Sequence, residues 1–385
     1  MPKPVKRVDA TASNGIQKIS GTPKHIPLDR DSKNAASSSK TVWIAGALIV
    51  IVLIILGALA AQKLFNNPPT PPITPDQNAF GLVRGKLLYS NDCKVCEKTG
   101  LLLLAFQNEG YASKVDLVEA SSPEGRSMVS TFAVDSVPTL FLESDSLNAL
   151  PKSISDDLKQ HYPVRGNYLV IPEIAFMKQT GQFLSNVMFL RSPDASCSVS
   201  PNAVQFAEFS DFADCPLCKT FYARVQNIRE EFGPEMSFRF RNTLFHGAES
   251  ERASIAAACA QQQGVWDDFS SCAFNLDENG SFLDANTIRY CAQQSHVPNL
   301  ASFSTCVDQN QTASIAGHNG SDNALSRSYF IDRIPSFVVD CKILLASDGL
   351  VVRADGSKYS PQLKEEICRQ RSDLRTCQNY YNGTT

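Results

Sequence analysis

No cysteine stands before Cys93, although the 385-residue chain has twelve. Basic charge is not in excess either: 36 Lys and Arg stand against 39 Asp and Glu, a formal net of −3. That balance excludes the footprint of a nucleic-acid partner. Histidine is scarce. His25, His161, His246, His296 and His318 form no i,i+4 pair, so they read as surface or satisfied polar residues rather than metal ligands. Trp266, one of only two tryptophans, reads as core. The length suggests two or three domains, each able to bury its own core.

Charge is absent altogether from Val42 to Ala61, VWIAGALIVIVLIILGALAA. At about 1.5 Å per residue, a helix of that run crosses the roughly 30 Å hydrocarbon core of a bilayer. Gly46 and Gly57 would be costly in a soluble helix and are ordinary in a membrane one. A cleaved signal peptide is the alternative, since Ala58-Leu59-Ala60 resembles a cleavage site. The 41-residue polar region in front, and the length of the run, favour an uncleaved anchor. Residues 1–41 hold eight Lys and Arg against three Asp. This bias, which includes Lys33 and Lys40, places the N-terminus in the cytoplasm and everything from Gln62 onward outside. The cysteines agree, because disulfides persist in oxidising compartments. Residues 1–41 lack apolar periodicity and read as a disordered tail. The linker 62–80 contains NNPPTPPITPDQN, whose five prolines favour a semi-rigid extended spacer.

From residue 81 onward one pattern occurs twice. LVRGKLLY predicts a strand, NDCKVC a turn with Cys93 and Cys96, and LLLLAF a helix. KVDLVEA predicts a second strand, Pro123 to Phe132 a helix, and TLFLE, after Val137-Pro138, a third strand. A further helix is expected near Ile171 to Phe183. The second occurrence runs VQFAEFSDF, then Cys215-Pro216-Leu217-Cys218, then a helix whose Phe221, Val225, Ile228 and Phe232 share one face. MSFRFRN alternates as a strand, and FVVDCKILL follows Ile334-Pro335. From second cysteine to proline the spacing is 42 residues in the first half and 117 in the second. The additional residues, about 245–320, have helical composition. The expected organisation is an α/β unit over 81–190, a second over 200–370 and a tail over 371–385, with a loop-like boundary at 191–202.

EFSDFADCPLCKTF, AAACAQQQGVWDDF, FSTCVDQN and RIPSFVVD occur in the order seen in DsbA-like thiol–disulfide oxidoreductases, which residues 200–370 resemble. The first half, through NDCKVC and VDSVPTLFLE, resembles a shorter thioredoxin-like or glutaredoxin-like domain. The resemblance implies two thioredoxin folds, the second with a DsbA-type helical insertion, behind a single N-terminal transmembrane helix.

The chemistry implied is disulfide exchange, which needs a thiolate. A cysteine at a helix start meets unpaired N–H groups and the positive end of the helix dipole, both of which favour the thiolate. Cys215 and Cys93 are thus expected to attack, with Cys218 and Cys96, one turn on, resolving. Pro216 suits an early helical position. The resemblance makes Pro335 and Pro138 cis prolines, with Ile334 and Val137 before them on an edge that receives an extended substrate. Leu217 and Val95 cannot donate a hydrogen bond to the sulfur. Asp211 and Asp214, if near Cys215, would oppose its thiolate, and Lys94 would favour that of Cys93. The Cys215 pair is therefore expected to be less oxidising than the family's strongest oxidant.

Two CxxC pairs could also build a zinc site, but each follows its own strand and precedes its own proline, so no metal is expected. The remaining cysteines, Cys197, Cys259, Cys272, Cys291, Cys306, Cys341, Cys368 and Cys377, allow up to four structural bridges. The resemblance suggests Cys259 with Cys306; Cys272 with Cys291 is then expected to staple the insertion and Cys341 with Cys368 to tie the last strand to the final helix, leaving Cys197 with Cys377. The expected enzyme is a membrane-anchored, extracytoplasmic thiol–disulfide oxidoreductase with no cofactor beyond its redox-active disulfides. Its expected partners are secreted cysteine-containing polypeptides and a membrane quinone-linked oxidase of the DsbB or vitamin K epoxide reductase type. Isomerase or reductase activity is the alternative within that class. The competing class is a redox-inactive thioredoxin-fold binding protein in which the first CxxC is structural.

Overall fold

Val83–Tyr89 (β1) follows its sequence closely: Val83, Leu87 and Leu88 are fully buried, while the polar residues between them face outward. Gly85 is obligatory there, because a Cβ would lie 2.2 Å from the carbonyl oxygen of Phe141 on the neighbouring strand. The computed structural model describes residues 82–181, 185–212, 215–276, 284–346, 351–352, 358–359 and 362–383. These all fall within one compact unit, Pro75–Thr385. The tail 1–41, the apolar run 42–61 and the linker to residue 80 lie outside the described residues, as does Asp214. Among the described residues no helix is long and apolar enough to cross a membrane.

After β1 come Leu101–Asn108 (α1), Ser113–Glu119 (β2), Pro123–Phe132 (α2), Ser136–Val137 (β3) and Thr139–Glu143 (β4). Lys152–His161 (α3), Val164–Arg165 (β5), Tyr168–Pro172 (β6), Glu173–Thr180 (α4) and Val187–Phe189 (β7) complete this part. The helix expected near 171–183 is shorter, because Tyr168–Pro172 is taken up as a strand beside β4. The first sheet has the order β2-β1-β4-β6-β5, with β1 and β2 parallel and β4 antiparallel to β1. A parallel pair needs a crossover, and α1 supplies it.

The second part opens with Val204–Ser210 (β8), Pro216–Phe232 (α5) and Met236–Asn242 (β9). Six helices follow: Ala248–Gln262 (α6), Trp266–Leu276 (α7), Ala285–Gln294 (α8), Leu300–Asp308 (α9), Ala313–Ala316 (α10) and Ser321–Ser328 (α11). Their position agrees with the helical composition of the insertion. Ser336–Val339 (β10) and Ile343–Leu345 (β11) return to the sheet, Val351–Val352 (β12) pairs with Lys358–Tyr359 (β13), and Leu363–Gln370 (α12) and Arg375–Asn382 (α13) close the chain. The expected C-terminal tail therefore contains a helix.

The second sheet has the order β3-β7-β11-β10-β8-β9. Two of its strands, β3 and β7, come from sequence before residue 190. Thus the chain leaves the second sheet at Val137, turns at Pro138 and enters the first sheet at Thr139. Helix α5 buries Cys218, Tyr222, Val225, Ile228 and Phe232 on one face, each large apolar side chain contributing roughly 1.5–3 kcal/mol. The insertion packs a core of Ala253, Ala256, Ala257, Phe269 and Phe303 that also takes in Cys215 and Cys218. Trp266 is partly buried against that core, with Phe240 at 5.1 Å between ring centroids.

Candidate active site

Both CxxC pairs are closed as disulfides, and all twelve cysteines are bridged. Their settings differ. Cys215 is the N-cap of α5, Pro216 occupies the first turn, and the Cys215 Sγ accepts the backbone N–H of Cys218 at 3.2 Å. Cys215 is 7% exposed and Cys218 fully buried, while Leu217 between them is 61% exposed. The sulfur therefore sits on the unpaired N–H groups of a helix start, which favours a thiolate once the bridge is reduced.

Cys93 and Cys96 have no such helix. They lie in a turn, and α1 begins only at Leu101, after Gly100. The expected helix-start geometry at Cys93 is corrected on this point. Glu97-Lys98-Thr99 offers no apolar face to bury, and the buried Glu173 carboxylate fixes the helix start by accepting the Leu101 N–H at 2.9 Å. Accessibility is also inverted: Cys93 is 3% exposed and Val95 not at all, whereas Cys96 is partly exposed.

Both downstream prolines have cis peptide bonds, Val137-Pro138 and Ile334-Pro335. Each begins the strand antiparallel to the one that leads into its CxxC, with Thr139 opposite Leu88 and Ser336 opposite Phe209. The next residue carries a hydroxyl that fastens the turn. Thr139 Oγ1 donates to the Ser136 carbonyl at 2.6 Å, and Ser336 Oγ to the Arg333 carbonyl at 2.8 Å. Ile334 packs against the cluster that contains Cys215 and Cys218, and Val137 lies in the cluster that contains Cys93 and Val95.

Asp211 does not act as a loose charge near Cys215. Its buried carboxylate accepts the Phe245 N–H at 3.0 Å, meets His246 Nδ1 at 3.0 Å and accepts the Ser250 hydroxyl. It ties the turn before α6 to the end of β8. Lys94 is exposed, and its N–H donates to Gln370 Oε1 at 2.9 Å.

Glu208 was not singled out from the sequence. It sits in the centre of β8, paired with Phe337 and Phe240, with both carboxyl oxygens lacking hydrogen-bond partners among the described residues. Burial pushes its carboxyl up to about 8. Alternation places it on the face of Phe206, which packs with Val225 and Ile228 of α5. An acid at an inward position of VQFAEFSDF was the available signal. In the first half Glu173 is the buried acid, raised to about 7 by burial, and the Leu101 N–H opposes that rise.

The structure joins Cys259 to Cys306 and Cys272 to Cys291, as expected. It does not join Cys341 to Cys368 or Cys197 to Cys377. Cys341, in the β10–β11 turn, reaches Cys197 in the 191–202 loop with Cα atoms 5.9 Å apart. Cys368 and Cys377 close a hairpin between α12 and α13 across nine residues, with Cα atoms 4.9 Å apart. Among the described residues no cluster of three or more His, Cys, Asp or Glu could hold a metal.

Residues 200–349 match the protein family described as Thioredoxin. No curated protein matches the chain. Similar solved structures include oxidised BdbD from Bacillus subtilis, at 19% identity over 47% of this chain and 91% of that one, with a TM-score of 0.37. A thioredoxin-like oxidoreductase from Silicibacter pomeroyi is 23% identical over 46% of this chain and 94% of that one, with a TM-score of 0.35. The catalytic domain of Proteus mirabilis ScsC is 17% identical over 52% and 98%, with a TM-score of 0.33. With its strand, CPLC turn, helix, strand, helical insertion and proline-led strand in that order, the segment 200–349 is similar to the thioredoxin family.

Proposed function

We propose that the chain is a protein thiol–disulfide oxidoreductase that works through Cys215 and Cys218. The observation that carries this reading is the bond from the Cys218 N–H to the Cys215 sulfur at the start of α5. A client thiolate attacks the Cys215 sulfur of the oxidised pair, and Cys218 leaves as a thiolate. A second client thiolate then attacks the client's sulfur in that mixed disulfide and expels Cys215. The client gains one disulfide and two electrons pass to the Cys215–Cys218 pair. Glu208, buried beneath α5, is a group able to hold or release a proton near neutral pH. Cys93–Cys96 lacks the helix start and serves as a structural bridge.

The apolar run 42–61 supplies a single-pass anchor with the N-terminus cytoplasmic, and the folded part works outside the cytoplasm on secreted cysteine-containing polypeptides. A membrane quinone-linked oxidase, of the DsbB or vitamin K epoxide reductase type, returns the pair to the disulfide. The bridges at Cys197, Cys259, Cys272 and Cys368 support such a compartment.

The test is stoichiometric. Full-length oxidised chain in detergent is mixed with excess reduced, unfolded protein, and disulfides formed are counted without an added oxidant. One disulfide transferred per chain, and none from Cys215→Ser, is expected. Two per chain, or unchanged transfer by Cys215→Ser, overturns the reading.

A further inference from the structure

The first half's exchange face is occupied by the chain itself. The two residues before Pro138 form β3, and they pair antiparallel with β7, Ser136 opposite Phe189 and Val137 opposite Met188. The Leu190 N–H extends the ladder to the Asp135 carbonyl at 2.9 Å. In the second half Ile334, which precedes Pro335, belongs to no strand. An open strand edge can take up an extended polypeptide by main-chain hydrogen bonds, and an edge already paired cannot take a second.

The turn that holds the first disulfide is also engaged. Gln370, the last residue of α12, accepts the Lys94 N–H at 2.9 Å and donates to the Asp92 carbonyl at 2.9 Å. Asn186, just before β7, donates to the Val95 carbonyl at 3.0 Å and to Glu366 of α12 at 2.8 Å. Its side-chain Oδ1 accepts the Ala346 N–H at 2.8 Å. Backbone groups of Asp92, Lys94 and Val95 are thus all bonded by side chains from 90 or more residues away in sequence. Where Leu217 stands exposed between Cys215 and Cys218, Val95 is buried with Met188, Ile367 and Cys368 in one apolar cluster.

We propose that the CxxC turn and cis-proline edge of the first half form a docking site whose occupant is this chain's own β7 and α12. The first half is closed to external polypeptides, and the hydrogen bonds from Gln370 and Asn186 hold the Cys93–Cys96 turn in place. The proposal deepens the functional reading above by dividing labour between the two CxxC pairs.

Two experiments on the full chain test it. In the first, Cys218→Ser, Cys96→Ser and Cys93→Ser are each reduced and offered a disulfide-bearing peptide. Cys218→Ser is expected to capture the peptide at Cys215, and Cys93 or Cys96 in the first-half variants to capture it about 20-fold more slowly or less. Capture by Cys93 or Cys96 as fast as by Cys215 overturns the proposal. If no variant captures peptide, the exchange reading of the second half falls, and the docking is judged by the second experiment alone. There Gln370→Ala is combined with Asn186→Ala, and iodoacetamide labels the reduced chain. Labelling of Cys93 and Cys96 is expected to rise about tenfold or more, with Cys215 unchanged. No rise overturns the proposal. Should that variant not fold, hydrogen exchange of the Lys94 amide in the unaltered chain decides: protection of about tenfold or more supports the docking, and none contradicts it.

Discussion

The Cys215 sulfur accepts the backbone N–H of Cys218 at 3.2 Å, so the two cysteines of this pair are joined by a hydrogen bond as well as a disulfide. When the bridge opens, that N–H remains aimed at the sulfur that carries the negative charge. Cys215→Ser is expected to lower disulfide transfer about 100-fold or more. Cys218→Ser should instead leave a long-lived mixed disulfide at Cys215. Transfer rates and a non-reducing gel check both, and equal loss without an adduct would contradict the assignment of roles.

Glu208 makes stability depend on pH. Its carboxyl ionises at about 8 in the fold against 4.5 ordinarily. Between those values the folded chain keeps a proton that the unfolded chain has released. The contribution is therefore complete below about pH 4.5 and is lost as pH rises through about 8. Glu208→Gln should remove that slope and at pH 8 raise stability by on the order of 2–4 kcal/mol. Denaturant melts at pH 5 and pH 8 measure it. A variant with the wild-type slope would show that Glu208 does not carry the effect.

The two hydroxyls after the cis prolines offer a matched comparison. Thr139→Val and Ser336→Ala each leave a carbonyl without its donor, at a cost of about 1–2 kcal/mol. Only Ser336→Ala should also slow disulfide transfer, since Ile334 in the same turn packs against the cluster that contains Cys215 and Cys218. Melting temperature and transfer rate, measured on both variants, separate the shared structural effect from the local one.

The structural bridges should differ in worth. Cys197–Cys341 closes 144 residues and Cys368–Cys377 nine. Loop entropy gives about 5 kcal/mol for the first and about 3 kcal/mol for the second. Paired Cys→Ser replacements, followed by denaturant unfolding, should rank them in that order.

Much of this was legible in sequence because it is local. The one-faced pattern through Val225, Ile228 and Phe232, the proline after Cys215 and the long spacing before Pro335 each reflect a single element or insertion. The helix start of the first half was not legible, because a carboxylate 72 residues away, on Glu173, sets it at Leu101. Nor was the pairing of Ser136–Val137 with Val187–Phe189, which depends on how the chain passes between sheets. The bridges of Cys341 and Cys368 depend on where a turn and a helical hairpin meet other segments. Glu208 announced itself only as an acid in an apolar run, and its burial is a property of the finished sheet.

The most direct test of the account maps the first covalent adduct. The fully reduced chain is mixed with a disulfide-bearing peptide, quenched in acid at successive times, and read by mass spectrometry at Cys93, Cys96, Cys215 and Cys218. The account predicts that the earliest adduct forms on Cys215 and decays as Cys218 closes the bridge. An adduct that forms first on Cys93 or Cys96 would contradict it.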